Sequence, residues 1–577
     1  MTNQDIASVF DEIADILEIK GDNPFRVRSY RRAAETISAL PFDIESVIDT
    51  DPDRIRSAPG IGVGTFRKIQ ELIETGSCQE HENLRREFPP SLLELLRVQD
   101  LGPKKIALFY KHLGIRNLDE LEAAARQEKL RELPGMGAKS ELKILKSIEE
   151  LRHRQGRFRL DYGTEISNRI LDYLRSQANV QRIAAAGSVR RRKETIGDVD
   201  VLVTTSNPGD VIRTFTTFPG TYEVQAQGET KASIRTRQGL QVDLRVVEDD
   251  AFGACLQYFT GSKEHNVALR ERAKRMGFKI SEYGLFDTES GDRVAGREEC
   301  EIYEKLRLPW IPPELRENRG EIEKAEKGEL PALVTIDNIR GDLHMHTTAS
   351  DGRNTIEEMA AAGLERGYAF IGITDHSKSL AMVRGLDEEK LLRQMEEIEA
   401  YRRTNSGIEV LKGIEVDILA DGSLDLDTSV LSQLDFVIAS IHSRFNMTRD
   451  EMTRRICRAL ENPTVSILAH PTGRLLLQRD AYQVDLEEII KAAVANRVCL
   501  EINAYPARLD LSDIHCRMAR DMGALITINS DSHTDGMLHY MSFGVDTARR
   551  GWLEAEDVIN TYPVDRLKRV LKKQEYR

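Results

Sequence analysis

Apolar residues recur at helical spacing through roughly the first quarter of the chain. Between Asp5 and Lys20, the residues Ile6, Val9, Phe10, Ile13, Ile16 and Leu17 fall on one face, and Gly21 ends the run. A basic segment, Arg26-Val27-Arg28-Ser29-Tyr30-Arg31-Arg32, follows. Over residues 160–250 the period shifts toward two, and Asp198 to Val203 and Gln241 to Val247 are predicted strands. Residues 251–317 are mixed and end at Ile311-Pro312-Pro313, and the charged stretch Arg316 to Glu329 is predicted to be an exposed helix or linker. From Gly341 onward, short apolar strands (Phe370 to Ile373, Phe436 to Ala439, Val498 to Ile502, Leu525 to Ile528) alternate with helical patterns. That alternation predicts an α/β barrel whose polar residues gather at the C-terminal ends of its strands.

Size and charge narrow the class. A chain of 577 residues is too long for one core, so several domains are expected. No apolar run approaches the roughly 18 to 20 residues that cross a bilayer, so no membrane partner is expected. The start, Met1-Thr2-Asn3-Gln4-Asp5, lacks the basic and apolar regions of a signal peptide. Six cysteines with no CxxC pair read as free thiols in a reducing cytoplasm. The net charge of -13 argues against a nucleic-acid partner on its face. Much of that excess lies after residue 339, where a metal centre would use carboxylates, so local patches decide.

Three glycine turns punctuate the helical region: Ala58-Pro59-Gly60-Ile61-Gly62, Asp100-Leu101-Gly102-Pro103-Lys104 and Leu133-Pro134-Gly135-Met136-Gly137-Ala138-Lys139. Each opens a helical pattern carrying basic residues, among them Arg67, Lys68, Lys104, Lys105 and Lys139. Backbone N–H groups at such helix starts suit a phosphate. The turns resemble helix-hairpin-helix motifs, which grip a DNA backbone without reading its sequence.

Residues 187–203 read Gly-Ser-Val-Arg-Arg-Arg-Lys-Glu-Thr-Ile-Gly-Asp-Val-Asp-Val-Leu-Val. On a strand Asp198 and Asp200 share one face while Val199 and Val201 take the other. Two carboxylates that close are costly unless a cation lies between them, and an Mg²⁺ pair would organise phosphoryl transfer. Asp243, alternating with apolar neighbours in a second predicted strand, is a third candidate. The Gly-Ser turn followed by Gly-Asp-Val-Asp-Val resembles the nucleotidyltransferase signature of family X DNA polymerases, the polymerase beta group. Tyr258-Phe259-Thr260-Gly261-Ser262, with Asn266 and Arg270 beyond, resembles that family's sugar-binding and template-positioning segment. The resemblance implies that Asp198 and Asp200 bind two Mg²⁺ or Mn²⁺ ions, with Asp243 beside them activating the primer 3′-OH. It implies that Gly187, Ser188 and Arg191 meet the triphosphate of a dNTP, that Tyr258 and Phe259 crowd the 2′ position, and that Gly261 belongs to the same nucleotide-binding set. Asn266 and Arg270 would reach the nascent pair and the template. Gln241 departs from the family, in which polymerase beta has an arginine beside its third aspartate.

The N-terminus resembles the lyase domain of polymerase beta. Arg26 and Tyr30 match part of its 5′-phosphate pocket and Lys68 its Schiff-base lysine, whereas Gly64 replaces a phosphate-binding lysine. Binding a gap's 5′-phosphate is therefore expected in preference to cleaving it. The DNA-binding set is Arg26, Tyr30, Gly60, Gly62, Gly64, Lys68, Gly102, Lys104, Gly135, Gly137 and Arg270.

Eight of the twelve histidines lie after residue 340, most in short runs with carboxylates close by. Asp342-Leu343-His344-Met345-His346-Thr347, followed by Ser350-Asp351-Gly352, resembles the opening motif of PHP domains, the polymerase and histidinol phosphatase family. Its ligand positions map onto His344, His346, Asp351, His376, Glu415, His442, His470, Asp531 and His533. Mixed imidazole and carboxylate ligands suit Mn²⁺, Zn²⁺ or Fe²⁺, and the resemblance implies three ions and phosphoester hydrolysis. Arg444 and Arg474 are candidates for gripping substrate phosphates. His515 and His539 match no motif.

The expected fold is multidomain: a helical helix-hairpin-helix region, an α+β nucleotidyltransferase palm and a C-terminal α/β PHP domain built as a distorted βα barrel. The boundaries are 1–78 (lyase-like), 79–155 (two further hairpins), 156–250 (palm), 251–317 (C-terminal polymerase subdomain), 318–338 (linker) and 339–577 (PHP). The order resembles that of bacterial and archaeal family X DNA polymerases. It implies a monomeric, cytoplasmic, nucleoid-associated repair enzyme that fills gapped or primed DNA from dNTPs. Its PHP domain would be a 3′–5′ exonuclease that also incises abasic sites or clears blocked 3′ ends. Two other readings stay open for that domain: a pyrophosphatase or small-molecule phosphatase, and a metal-stabilised scaffold without catalysis.

Overall fold

The computed structural model describes the whole chain except residues 2, 39, 41–43, 59, 89, 99–100, 155, 381–382 and 577, and except the side chains of 4, 46, 90, 97 and 149–154. Pro59 and Asp100 of the glycine turns therefore lie outside the described residues.

The first helix, Asn3–Lys20, ends where Gly21 takes a positive φ, and it packs along Pro24–Ser38. Ile6, Phe10, Ile13 and Leu17 share a core with Val27, Ala33, Ile37, Phe66 and Ile69. The basic segment that followed Gly21 in the sequence is the outer part of this second helix. All three glycine turns open helices: Gly62 precedes Val63–Thr75, Gly102 precedes Pro103–Leu113 and Gly137 precedes Ala138–Arg154. Gly62 and Gly102 offer no side chain to cap the first-turn amides, which leaves those donors for an outside acceptor.

Strands are numbered β1 to β18 in chain order. A two-stranded ribbon of β1 (Phe158–Arg159) and β3 (Thr195–Ile196) flanks a five-stranded palm sheet. That sheet contains β2 (Arg182–Ala186), β4 (Asp198–Thr204), β5 (Thr221–Gln227), β6 (Lys231–Thr236) and β7 (Gln241–Val246), ordered β2-β4-β7-β6-β5. Only the β4–β7 pair is parallel. Val199, Val201 and Val203 pack against the helices Leu160–Gln177 and Pro208–Thr216, which turns Asp198 and Asp200 to the opposite face. Two helices, Phe252–Thr260 and Lys263–Arg275, precede an antiparallel meander of β8 (Phe278–Ser281), β9 (Gly284–Asp287) and β10 (Arg293–Ala295).

The stretch from Arg316 to Glu329 is only in part the exposed helix or linker that its charge suggested: Glu323, Lys324 and residues 326–329 face solvent, but others do not. Arg316 is wholly buried, donating to Glu299 and to the Ile311 carbonyl, and the helix Glu321–Glu326 buries Glu321 against His265 at 2.7 Å. The charges are tolerated inside because each has a partner, information that composition does not carry.

The C-terminal domain is the expected distorted barrel. Its strands are β11 (Gly341–Met345), β12 (Phe370–Ile373), β13 (Glu409–Lys412), β14 (Glu415–Asp417), β15 (Ile438–Ser440), β16 (Ile467–Leu468), β17 (Cys499–Asn503) and β18 (Ile526–Asn529). They run parallel in the orders β11-β12-β13 and β14-β15-β16-β17-β18. A parallel bridge between Met345 and Ser532 closes the ring. Leu476, Leu509, Tyr540 and Phe543 from this domain join the palm's own hydrophobic cluster.

Two candidate metal centres and an N-terminal cleft

In the palm, the parallel register of β4 and β7 sets Asp200 opposite Asp243, with Asp198 one pleat away on the same face. Burial, and then the charges of Asp198 and Asp243, push Asp200 up to about 7, and Asp198 is raised by burial and by Asp243. Like-charged groups this close favour a proton or a cation between them. The donor set therefore fits divalent metal. Gln241 donates its amide to both oxygens of Asp243 at 3.2 and 3.0 Å, a neutral donor at the position where the family resemblance placed an arginine.

The turn above the carboxylates is sterically tight. Gly187 has a φ of +68°, and a Cβ there would stand 2.7 Å from an Asp200 oxygen. Ser188 follows it in the short helix Gly187–Arg190. Arg191 is held by Glu317 at 3.1 Å and by the Thr260 carbonyl, and its guanidinium crosses the space that a Gly261 side chain would need. Tyr258 and Phe259 stack edge to face at 5.1 Å, with the Arg270 guanidinium 5.8 Å from the Tyr258 ring centre. Asn266 is buried, accepting from Gln257 and donating to the Tyr258 carbonyl, each at 2.7 Å.

The barrel's sequence-predicted ligands converge at the C-terminal ends of its strands. Three overlapping groups each place their ligand atoms within 4.8 Å of one another: His346, Asp351, His376 and His533; His344, His346 and Asp531; and His376, Glu415 and His442. His470 joins them through Glu415 at 3.1 Å. Buried atoms of His344 (Nε2) and His346 (Nδ1) have no hydrogen-bond partner, and His376 Nδ1 and Glu415 Oε2 meet each other, at 2.7 Å. Orphaned buried polar atoms aimed at a common centre are what a metal site requires, and the residues fit the group. Burial alone would neutralise these side chains, but their mutual charges prevail. Glu501, Asp531 and Glu415 hold His344 well above the usual imidazole range, and Asp351 helps hold His533 at about 9. Glu415 and Asp531 stay well below the usual carboxylate range beside these imidazoles. His346 goes the other way, lowered to about 4 by burial and by the charges of His533 and His376.

A supporting layer went unread in the sequence. Glu501, fully buried in β17, accepts from His344 Nδ1 at 2.7 Å, from Asn529 at 2.9 Å and from the His470 backbone N–H at 2.8 Å. Asp417 lies 3.2 Å from His442 Nδ1. Asp375 gathers the loop after β11 by accepting from the Thr347 backbone and hydroxyl and from the Ser350 backbone. The available signal was a glutamate set in the apolar run Cys499-Leu500-Glu501-Ile502, a charge that a buried strand admits only with a partner. Outer partners of this kind fix which nitrogen of a ligating histidine faces the metal. Replacing Glu501 by Ala is expected to weaken metal binding about 10–100-fold while the chain stays folded. Metal titration of the variant reads this, and an unchanged affinity would show that Glu501 does not orient His344.

The phosphate-gripping candidates separate. Arg444 is exposed near His442. Arg474 instead faces the palm, donating to Glu194 at 3.2 and 2.7 Å and to the carbonyls of Arg508 and Leu509. Its donors are used in a clamp between domains, so the expectation that it grips substrate is corrected. Arg508, which the sequence did not single out, stands 3.7 Å from Asp531. His515 and His539 bond locally to Ser512 and to the Gly536 carbonyl.

In the N-terminal domain, Arg26, Tyr30 and Lys68 converge as expected, but on a carboxylate of the chain itself. Glu80 accepts from Arg26 and from Tyr30 (2.8 Å) and pairs with Lys68 (3.2 Å). Arg26, Lys68 and Glu80 line a cleft of about 730 Å³ with Lys20, Gly64, Arg67, Glu71 and Glu87. Although burial opposes it, the Tyr30 hydroxyl and the Lys68 and Arg26 charges hold Glu80 below the usual range.

Comparison with known proteins agrees with this layout. Residues 1–78 match a helix-hairpin-helix domain, 92–150 a SAM-like helix-hairpin-helix tandem, 255–317 the DNA polymerase beta thumb and 342–505 the PHP domain. Asp531 and His533 lie past the last of these ranges. A nucleotidyltransferase of the polymerase beta type joined to a PHP barrel is the class that fold and sites define. The chain is 40% identical over 577 residues, all of both chains, to the DNA polymerase/3′-5′ exonuclease PolX of Bacillus subtilis (strain 168). It belongs to the family X DNA polymerases that carry a C-terminal PHP domain. Probable phosphatases resemble the barrel alone. One from Thermoanaerobacter sp. (strain X514) is 30% identical over 246 residues, 41% of this chain and 95% of its own length. Another, from Acetivibrio thermocellus, is 32% identical over 202 residues, 33% and 78% respectively.

Proposed function

We propose that this chain is a template-directed DNA polymerase that fills short gaps and removes nucleotides 3′ to 5′ with its barrel domain. The observation that carries the first half is the β4–β7 register, which gathers Asp198, Asp200 and Asp243 beneath the Gly187 turn. Asp198, Asp200 and Asp243 would hold two Mg²⁺ or Mn²⁺ ions, which supply charge neutralisation at the transferring phosphate. Asp243 accepts the proton of the primer 3′-OH as that oxygen attacks the α-phosphorus and pyrophosphate departs. Ser188 and Arg191 hold the triphosphate. Tyr258, Phe259 and Gly261 abut the sugar, and Asn266 and Arg270 face the new pair and template.

In the barrel, the nine side chains from His344 to His533 would hold Mn²⁺, Zn²⁺ or Fe²⁺, three ions as the family resemblance implies, and these would supply a nucleophilic water at neutral pH. Arg444 and Arg508 hold the phosphate while the bond from phosphorus to the 3′ oxygen breaks, giving a nucleoside monophosphate and a shortened 3′-OH. The phosphatase-like relatives favour a second reading, a phosphomonoesterase. The test is metal content per chain together with release from a 3′-mismatched primer, a gapped duplex, a model phosphomonoester and pyrophosphate. Preference for the DNA 3′ ends supports the exonuclease, preference for the small esters overturns it, and bound metal with no release from any of them leaves the barrel a scaffold.

The N-terminal cleft would bind the 5′-phosphate of a gap, with Glu80 as its resident competitor. Glu80→Gln is expected to tighten binding to a 5′-phosphorylated gap roughly tenfold over the unphosphorylated one, because charge-assisted bonds to Arg26 and Lys68 are freed. Binding measured on both gaps decides it, and equal gains on the two would remove the cleft from phosphate recognition.

A further inference from the structure

Arg550 ends the helix Met541–Arg550 in the barrel domain, and 4% of its side chain meets solvent. Its guanidinium donates to the backbone carbonyl of Arg191 at 2.6 Å, to Glu317 at 3.1 Å and to Asp513 at 2.6 Å. The same Glu317 oxygen accepts from Arg191 Nε at 3.1 Å. Asp513 is shared with Arg319 at 3.1 Å. A continuous run of alternating charges therefore passes from the barrel into the palm: Asp513, Arg550, Glu317, Arg191. At its palm end the Thr260 carbonyl fixes the other side of the Arg191 guanidinium, beside Gly261.

The geometry is more specific than cement between two domains needs. Arg550 touches Arg191 twice, directly at its backbone and indirectly through the carboxylate that orients its guanidinium. Buried charges of this kind are costly unless each bond is made, so the arrangement constrains a single pose. Glu317 stays ionised because the charges of Arg550, Arg191 and Lys193 outweigh its burial.

We propose that Arg550, acting through Glu317, is a positioning residue for nucleotide binding: the barrel domain completes the palm by fixing Arg191 in the pose that meets the triphosphate. This rests on the reading of Arg191 as a triphosphate contact. It makes nucleotide affinity in one domain depend on a side chain of the other, with no ligand shared between them.

The experiment uses the full chain in single-nucleotide primer extension, comparing Arg191→Ala, Glu317→Gln, Arg550→Met and Arg550→Lys. Glu317→Gln keeps the size of the side chain and removes its charge, so it carries the test should Arg550→Met fold poorly. Glu317→Gln and Arg550→Met are expected to raise KM for the dNTP about tenfold, with kcat and DNA affinity changed much less. Arg550→Lys recovers part of the loss, and barrel hydrolysis keeps its rate. In the Arg191→Ala background, Glu317→Gln adds nothing further. A lowered melting temperature with unchanged KM in Glu317→Gln would overturn the proposal and leave Arg550 a structural clamp. An unchanged KM in Arg191→Ala would instead overturn the nucleotide-contact reading beneath it.

Discussion

Replacing Asp198 and Asp200 together by alanine abolishes primer extension, by ~10³-fold or more, and leaves barrel hydrolysis at its wild-type rate. The size follows from the number of interactions lost, since each metal contributes several kcal/mol to transition-state charge and each 1.36 kcal/mol is about tenfold in rate. Loss of activity through unfolding is separable, because these two carboxylates oppose the fold. Their folded pKa values are raised, Asp200 to about 7, so their ionised forms are disfavoured in the folded chain. Without added metal the double variant is expected to melt no lower than the parent. Measured extension above about 1% of wild type, with the protein folded, would remove these residues from the reaction.

The converse expectation concerns the barrel. His344→Asn with His346→Asn is expected to lower metal content per chain and to cut hydrolysis ~10³-fold, while primer extension persists. Here stability also falls. His344 and His346 are completely buried, each with one ring nitrogen that has no hydrogen-bond partner, so a bound ion offsets the desolvation of the whole cluster. An ion at a hundred times its dissociation constant stabilises the folded chain by about 2.7 kcal/mol, and chelation of the wild type should therefore lower its melting temperature. The reading fails if the variant degrades a primer at the parental rate, or if metal content is unchanged.

How much of this could be seen in the sequence depends on what signal each feature leaves. The palm carboxylates were legible because a strand's period of two is simple: Asp198 and Asp200 must share a face, and the structure puts Val199 and Val201 in the core opposite. The barrel ligands were legible because histidines with nearby carboxylates rarely recur after successive apolar strands by accident. Glu501 was hard to see because its partner, His344, is far away in the chain, and only the ring closure brings β11 within reach of β17, with β18 between them. Arg474 looked suited to substrate because it follows His470 closely, yet sequence proximity did not set its direction; Glu194, in the palm, did. Glu80 was missed for a related reason. A resemblance lists the residues that hold a ligand and is silent about a residue that takes the ligand's place. Arg316 and Glu321 were read as solvent-facing because a charge run usually is, and the pairings that allow their burial come from Glu299 and His265.

Leu476, Leu509, Tyr540 and Phe543 lie inside the palm's cluster and yet belong to the chain of the barrel. The boundary between the two enzymes is therefore chemical and not mechanical. Cutting the chain between them would strip four apolar side chains from a core and expose the surface they cover, at roughly 25 cal/mol for each Å² laid bare. The polymerase half is thus not a self-sufficient module with a nuclease attached. Loosening the barrel's fold is therefore expected to lower the stability of the palm as well, because part of the palm's core is supplied from there.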